Sequence, residues 1–186
     1  MSQVLGNYTK ALDGFDSVVQ RVPTERWGAQ SPCEGWTARD VVVHSAGVVN
    51  ALAEMARSGV VAMPQDPEAG DDVVAVWNTS RDGLLEALDH PGVIERVGEY
   101  WFGEMPYENV LAFAMWDPLL HAWDLATAVG IDAPADDELA EASLAVIEPV
   151  ADMLRSQHLM GDPVEVPAGA PASTRLLGLT GRDPNA

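Results

Sequence analysis

The sequence has very little cysteine and few basic residues. Cys33 is its single cysteine, so no intramolecular disulfide can form. Lysine and arginine together number 10, against 29 aspartates and glutamates, which gives a formal net charge of -19. Because nucleic-acid binding depends on many lysine and arginine contacts with phosphates, this balance excludes a nucleic-acid-binding surface as the main function. An anionic membrane surface would repel the protein for the same reason.

Long hydrophobic runs and several common catalytic motifs are missing as well. No apolar stretch reaches the ~18 residues that span a bilayer. The first residues have neither the basic nor the apolar region of a secretory signal, so we expect a cytoplasmic protein. The glycine-rich phosphate-binding loops, the G-x-S-x-G motif and the H-E-x-x-H motif are absent. Nucleotide binding, acyl transfer by a serine nucleophile and metzincin-type proteolysis therefore have no support.

Helical periodicity runs through most of the chain. The 186 residues, 47% apolar and 21% charged, fit one globular domain over 1–186. A short extended or hairpin-like link is predicted at residues 93–105, where β-prone residues stand between glycine and proline. We predict an all-α fold: four main antiparallel helices in a bundle, with an extra helix and a C-terminal tail packed on them. The predicted helices are at residues 2–21, 37–59, 71–89, 106–129, 136–160 and 175–180.

Several helix ends have recognisable capping residues. Thr37 can cap the second helix, with Asp40 at the third helical position as in a capping box. Gly130 is well placed to end the fourth helix. Ser173 or Thr174 is expected to cap the last short helix.

Two of the four histidines lie within apolar helix faces and suggest a metal site. Asp117 and His121 are one helical turn apart, which is about 5–6 Å between Cβ atoms. That separation allows both side chains to bind one metal ion at ~2.0–2.2 Å. His44, on a facing helix, would supply a third ligand. Three protein ligands leave positions open for water or substrate, which is typical of a catalytic site.

Each of these residues also has a purely structural interpretation. A histidine on an apolar face is more often a core residue whose nitrogens are hydrogen-bonded locally. Asp117 precedes Pro118, and Asp-Pro is a good N-cap followed by a first helical residue. The alternative to one continuous helix over 106–129 is therefore a helix that starts at Asp117 after a separate helix over 108–116. In the continuous helix Pro118 would remove one backbone hydrogen bond and introduce a kink.

Three segments resemble one enzyme family. Residues 31–44 (SPCEGWTARDVVVH) resemble the signature of the DinB/YfiT-like metalloenzymes and are most similar to the branch related to the N-terminal domain of mycothiol-dependent maleylpyruvate isomerase. Residues 117–130 (DPLLHAWDLATAVG) resemble the second motif of that family. Residues 175–184 (RLLGLTGRDP) resemble the tail of an actinobacterial metal-binding subfamily. The resemblance covers nearly the whole chain, with the three motifs in the same order.

The resemblance implies a DinB/YfiT-like four-helix bundle, antiparallel with a crossover connection, that holds a divalent metal. The implied ligands are His44, Asp117 and His121. Zinc is the first choice for two imidazoles and a carboxylate, and nickel or iron suit the same ligand types. The implied function is that of a metal-dependent S-transferase or isomerase-like enzyme. Its metal would lower the pKa of bound water, or of a small thiol such as mycothiol, for addition to a small electrophile.

Two departures from the isomerase bear on its activity. The isomerase has a further C-terminal domain that contributes to thiol binding, which we do not expect in this chain, and it has glutamate where this chain has Asp117. One alternative function is a non-catalytic metal- or ligand-binding module with a stress or regulatory role, whose site is closed by a fourth protein ligand. Another is that the metal-ligand residues have lost their function and only the helical bundle remains. Homodimers through helix faces are common in such bundles, but no exposed stripe in the sequence identifies one.

Two further residues within these motifs could carry chemistry. Cys33 precedes a helix N-terminus, which can lower the pKa of a thiol, but we interpret it as a small loop residue packed under Trp36. Asp124, three residues after His121, is either an acceptor for the metal-bound imidazole or an exposed charge. The two remaining histidines have no predicted catalytic role.

Overall fold

The computed structural model describes residues 2–70 and 72–185, and in these ranges the chain is mostly helical with one small sheet. The helices are α1 (Gln3–Val19), α2 (Ala38–Ser58), α3 (Val73–Leu88), α4 (Tyr107–Ala114), α5 (Trp116–Val129), α6 (Asp137–Ile147), α7 (Ala151–Ser156) and α8 (Ala172–Leu179). The antiparallel strands β1 (Val97–Tyr100) and β2 (Gly103–Pro106) form the hairpin predicted at 93–105. Asp71, the predicted start of the third helix, lies outside the described residues, as do Met1 and Ala186, the ends of the predicted domain.

One hydrophobic core is shared by α1 to α5 and the hairpin. Phe15 of α1 and Trp77 of α3 are fully buried and meet edge to face, with ring centroids 4.7 Å apart. α2 packs along α3 and against α5, while α1 packs along α5 and α4. The two helices that carry the predicted metal ligands, α2 and α5, are therefore direct neighbours. Their place in an antiparallel four-helix bundle stays a prediction.

The predicted capping box at the start of α2 is present. The Thr37 side chain accepts a hydrogen bond from the backbone N–H of Asp40, and the Asp40 carboxylate accepts one from the backbone N–H of Thr37 at 2.8 Å. α2 ends at Gly59 and α5 ends at Gly130, both with a φ of 73°, a left-handed conformation that glycine adopts without strain. The caps place His44 in the second turn of a helix whose first turn is held firmly.

The prediction of one continuous helix over 106–129 is wrong, because α4 and α5 are separated at Met115. Pro118 explains the break: it has no N–H to donate to the carbonyl of Ala114, and its ring crowds that carbonyl. Met115 keeps a helical backbone conformation, so the break is local. The alternative of two separate helices is therefore confirmed, although α5 begins at Trp116 with Met115 as its N-cap, so Asp117 is not the cap.

The prediction of one helix over 136–160 is wrong too. Asp136 is the N-cap of α6, as predicted, but α6 ends at Ile147 and a 3₁₀ turn at Glu148–Val150 precedes α7. Pro149 lies in this turn and cannot donate the backbone hydrogen bond that would continue an α-helix. α7 ends at Ser156, and His158 then adopts a left-handed φ of 59°. The helical segment therefore stops short of the predicted end.

The last helix also differs from its prediction. α8 begins earlier than expected, with Pro171 as its N-cap, so neither Ser173 nor Thr174 caps it. Ser173 lies in the first turn, where its backbone N–H and its hydroxyl both donate to Asp137 Oδ1 of α6. The Ser173 side chain therefore links α8 to α6 and does not cap α8.

A second hydrophobic cluster joins α6, α7 and α8 to one face of α5. Its buried members are Leu120, Ala140, Leu144, Ile147, Ala151, Leu154, Met160, Ala172, Leu176 and Leu177. The cluster holds the C-terminal segment against the helix that carries His121. Across the described ranges, no helix combines the length and the apolar character needed to cross a bilayer.

Candidate metal centre

The structure brings the three predicted ligands together at the contact between α2 and α5. His44 Nε2 and His121 Nε2 each lie 3.5 Å from the same atom, Asp117 Oδ2. One ligand atom from each of the three side chains lies within 4.8 Å of the others. Asp117 and His121 face the same way because they are one helical turn apart, and α2 supplies His44 from the opposite side.

These distances fit the donor set of a divalent cation. A direct N–H···O hydrogen bond has a donor–acceptor distance of about 2.7–3.2 Å. The two 3.5 Å distances to Asp117 Oδ2 are longer than this range. Two ligand atoms that bind one tetrahedral zinc ion at ~2.0–2.1 Å are roughly 3.4 Å apart. Each imidazole nitrogen is thus spaced from the carboxylate oxygen as two ligands of one ion would be. That they bind one stays a prediction.

The charges at the site reinforce one another. Burial alone raises the pKa of Asp117, but His121 and His44 outweigh it and hold that pKa below its usual value. Burial lowers the pKa of His44, but the contact with Asp117 and the charge of Asp66 outweigh it and raise that pKa. The ionised carboxylate suits a cation, and a metal bound there would displace any proton from the Nε2 of His44.

One side of the site opens to solvent and another is closed by an aromatic ring. The His44 side chain is 28% exposed, against 10% for His121, so solvent reaches the site from the His44 side. The Trp36 ring lies 4.8 Å from the His44 ring and is stacked on His121 at 6.0 Å between centroids. Trp36 is held in its loop because its backbone N–H donates to the Cys33 carbonyl. The site thus has an aromatic wall beside an open approach.

A second polar cluster lies on the other side of the His121 ring. His121 Nδ1 donates to Asp124 Oδ2 at 2.9 Å, and Asp124 is fully buried. The Cys33 thiol donates to the same oxygen at 3.2 Å, and the Arg182 guanidinium also contacts it. Cys33, His121 and Asp124 could themselves hold a metal ion by spacing alone. Because Arg182 already supplies a cation to this cluster, the group that contains His44 is the better metal site.

The surroundings of Asp124 and Cys33 decide between the alternatives for each residue. Asp124 is buried and accepts a hydrogen bond from His121, so the exposed-charge alternative is wrong. Burial, followed by the charge of Asp124, raises the pKa of the Cys33 thiol to about 12. A helix N-terminus therefore does not lower the pKa of Cys33, which favours its interpretation as a structural loop residue, while its packing under Trp36 stays a prediction.

Arg182 is the residue at this site to which the sequence alone assigned no role. It follows α8 and contacts Asp124, a residue far away in the sequence. One signal was available: if Asp124 is the buried acceptor for the predicted ligand His121, it requires a cation, and the C-terminal segment has few basic residues. Nothing in the sequence showed which of them reaches α5.

Comparisons with known proteins identify the family. A family model, described as the mycothiol maleylpyruvate isomerase N-terminal domain, matches residues 8–126. Two uncharacterized proteins of Mycobacterium tuberculosis, from strains CDC 1551 / Oshkosh and H37Rv, are each 29% identical to the chain over 138 residues, which is 74% of this chain and 74% of theirs.

Two crystal structures have a similar fold. The mycothiol-dependent maleylpyruvate isomerase matches with a TM-score of 0.63 and 17% identity, over 97% of this chain and 89% of its own. A histidine-to-alanine mutant of that isomerase matches with a TM-score of 0.67 and 15% identity, over 98% of this chain and 90% of its own. The family match covers more than half of the chain. The protein belongs to the family of the mycothiol maleylpyruvate isomerase N-terminal domain.

Proposed function

We propose that the protein binds a divalent metal through His44, Asp117 and His121 and uses it to activate a small thiol for addition to a small electrophile. The observation that carries this proposal is the convergence of both Nε2 atoms on Asp117 Oδ2 at 3.5 Å. Family membership supports the thiol, since the related isomerase is mycothiol-dependent by name. Mycothiol is therefore the first thiol to test.

The residues of the site have distinct roles in this proposal. His44 and His121 bind through Nε2 and Asp117 through Oδ2, with zinc as the first choice and nickel or iron as alternatives. A divalent ion held there supplies Lewis acidity, which lowers the pKa of a coordinated thiol or water. Trp36 keeps water from one side of the site by stacking on His121. The exposed edge of His44 marks the direction from which the thiol and the electrophile approach.

The proposed reaction is a net addition. The thiol sulfur forms a bond to the electrophilic carbon of an activated double bond, and the thiol proton ends on the neighbouring atom of the electrophile. No oxidant or reductant is needed. The chain's own residues orient the thiol and leave one side of the site open for the second substrate. An isomerase-like outcome follows if the thiol is expelled after rotation about the former double bond.

The open side of the site is the reason to favour an enzyme over a non-catalytic metal-binding module. A purely structural metal site is usually closed by four protein ligands. In residues 2–70 and 72–185, three side chains make up the group around Asp117 Oδ2 and no fourth joins them. The proposal also includes the finer setting expected from the sequence, a single antiparallel four-helix bundle with a crossover connection that works in the cytoplasm.

Metal analysis of the purified protein tests the site. We expect about one divalent ion per chain in the wild type and its loss in both His44→Ala and His121→Ala. His90→Ala is the matched control, because His90 lies in an exposed turn and should leave the metal content unchanged. Stoichiometric metal that survives both site substitutions would falsify the assignment.

The thiol reaction is tested separately. The wild type should accelerate the addition of mycothiol to an α,β-unsaturated ketone such as cyclohexenone, and a chelator should abolish the acceleration. Equal rates with and without chelator would contradict the enzymatic proposal. Metal binding without any thiol chemistry would favour the non-catalytic module.

A further inference from the structure

The C-terminal segment contacts the polar cluster behind His121 through Arg182. Arg182 lies beyond α8, outside residues 8–126 that match the family model. Its Nε donates to Asp124 Oδ1 at 3.2 Å and its Nη2 donates to Asp124 Oδ2 at 2.8 Å. Both carboxylate oxygens are therefore bound by one guanidinium in the side-on fork geometry. Such a paired contact fixes the plane of the carboxylate as well as its position, which a lysine could not do.

Asp124 depends on this contact because it is fully buried. A buried carboxylate is unstable unless a cation or several hydrogen bonds compensate its charge. Asp124 Oδ2 accepts hydrogen bonds from His121 Nδ1, the Cys33 thiol and Arg182, and Arg182 alone among these three carries a permanent charge. Without Arg182, the carboxylate would have to rotate toward water, change its protonation or draw a proton from a neighbour.

The position of Asp124 determines the orientation and the tautomer of the His121 ring. An ionised carboxylate only accepts hydrogen bonds, so His121 Nδ1 must carry the proton in their 2.9 Å contact. In the neutral ring, Nε2 then has the free lone pair, and this is the atom that faces Asp117 Oδ2. The contact therefore selects both the tautomer and the ring orientation that a metal ligand needs.

Arg182 is itself held in place by the fold. Its backbone N–H donates to the Leu177 carbonyl at 2.9 Å, and its Nη1 donates to the Thr180 carbonyl at 3.2 Å. Arg155 of α7 donates to the Leu179 carbonyl at 2.9 Å, which anchors the end of α8. The Arg182 guanidinium is thus held against Asp124 by a segment that packs on the second hydrophobic cluster.

We propose that Arg182 is a positioning residue for the metal centre, which holds Asp124 so that His121 presents Nε2 to the site. The inference rests on the proposed function, because it concerns the same three ligands. It adds that the C-terminal segment is part of the site, although that segment supplies no ligand. Loss of Arg182 should weaken metal binding without removing any ligand atom.

Metal affinity is the first test, measured by competition with a chromophoric chelator. Arg182→Ala should bind zinc about 10- to 100-fold more weakly than the wild type, as expected when a partner of a ligand histidine is lost. Arg182→Lys retains the charge but not the fork, and should recover only part of the affinity. Arg175→Ala is the matched control, since Arg175 also belongs to the C-terminal segment but pairs with Glu141 at the surface. Equal affinities in the wild type and Arg182→Ala would overturn the proposal.

The tautomer of His121 gives a second test that needs no metal. In the metal-free wild type, the nitrogen NMR spectrum of the imidazoles should show His121 with the proton on Nδ1. In Arg182→Ala and Arg182→Lys the spectrum should shift toward a mixture of tautomers, while Arg175→Ala should leave it unchanged. An unchanged His121 spectrum in both Arg182 variants would reject the positioning role.

The two readouts also separate this inference from the proposed function. If the wild type binds no metal but the His121 spectrum responds to Arg182, the metal-centre proposal fails and the positioning of His121 stands. If the wild type binds metal but the His121 spectrum does not respond to Arg182, the metal-centre proposal stands and the positioning role of Arg182 fails. Should Arg182→Ala fail to fold, Arg182→Lys keeps the charge in the buried cluster and decides the question alone.

Discussion

The imidazole rings of His44 and His121 lie edge to face, with centroids 5.1 Å apart, and both direct Nε2 at one oxygen of Asp117. The carboxylate is thus the member that joins the two histidines. Its length matters, because an added methylene would move the oxygen by about 1.5 Å. The histidines come from two packed helices and cannot follow that movement freely.

The first prediction concerns the chemistry of position 117. We expect Asp117→Glu to retain the metal with about tenfold weaker affinity, because the charge is kept while the geometry is displaced. Asp117→Asn should weaken zinc binding by at least ~100-fold, because a neutral amide no longer balances the charge of the ion. Chelator competition on the folded proteins measures both. Wild-type affinity in Asp117→Asn would show that the carboxylate is not a ligand.

Part of this site was predictable from sequence because it depends on local spacing. Asp117 and His121 meet since residues four apart on a helix share a face, and Asp124 meets His121 for a similar reason. His44 was assigned from its apolar helix face and from a family motif. Arg182 could not be assigned, because its contact depends on how α8 packs against α6 and α7, which no local pattern reports.

The difference between local sequence signals and contacts that depend on packing also explains the errors in the helix boundaries. The capping box of Thr37 and Asp40 and the glycine ends of α2 and α5 are local features, and they were predicted correctly. Pro118 and Pro149 each break a segment with continuous helical periodicity. Hydrophobic periodicity continues across such breaks because both halves still face the core, so periodicity alone merges neighbouring helices.

The second prediction concerns the charge of the electrophile. Burial lowers the pKa of His44, and the contact with Asp117 followed by the charge of Asp66 raises it, so Asp66 adds negative charge to the surroundings of His44. All ten lysine and arginine side chains have partners within the chain. With a thiolate bound, the negative charges of Asp117, Asp66 and the sulfur outnumber the two charges of a divalent ion. A neutral electrophile should therefore react faster than a dicarboxylate, relative to their uncatalysed rates.

Salt and one substitution test this charge effect. Raising the ionic strength to about 0.5 M should accelerate the reaction of the dicarboxylate and leave that of the neutral compound unchanged. Asp66→Asn should have the same selective effect, while Glu68→Gln in the same loop serves as the control. A dicarboxylate that reacts faster than the neutral compound, and more slowly at high salt, would show that cations guide the substrate.

The third prediction concerns the stability of α2. Thr37→Ala should lower the free energy of unfolding by about 1 kcal/mol, which is typical for the loss of an N-cap. Hydrogen bonds from the side chain and the backbone of Thr37 hold the pKa of Asp40 below its usual value. A carboxyl with a lowered pKa stabilises the fold above its unfolded pKa of about 3.9, and this contribution is lost as the pH falls through the folded value.

Chemical unfolding at two pH values checks whether the ionised Asp40 carboxylate stabilises the fold. Asp40→Asn should be less stable than the wild type at neutral pH, and the difference should shrink toward zero well below pH ~4. Asp13→Asn, at an exposed position of α1, should match the wild type at both pH values. A deficit in Asp40→Asn that persists in acid would mean that the charge of Asp40 is not the stabilising feature.

The fourth prediction uses a glycine inside a helix. Alanine usually stabilises a helix interior by about 1 kcal/mol relative to glycine. A β-carbon on Gly47 of α2, however, would lie 2.8 Å from the backbone oxygen of Gln65, so the loop that carries Asp66 would have to move. We expect Gly47→Ala to lower the free energy of unfolding by about 1–2 kcal/mol, because the destabilisation from overpacking exceeds the stabilisation from the higher helix propensity of alanine.

Gly14 of α1 provides the matched control. A β-carbon there would meet only Pro134 Cγ at 3.8 Å, an ordinary van der Waals contact. Gly14→Ala should therefore raise the free energy of unfolding by about 0.5–1 kcal/mol, the opposite sign. If thermal or denaturant unfolding shows Gly47→Ala to be stabilised as much as Gly14→Ala, the loop at Gln65 does not press on α2. Packing against α2 would then not fix the position of Asp66, the next residue in that loop, and the charge prediction would lose this support as well.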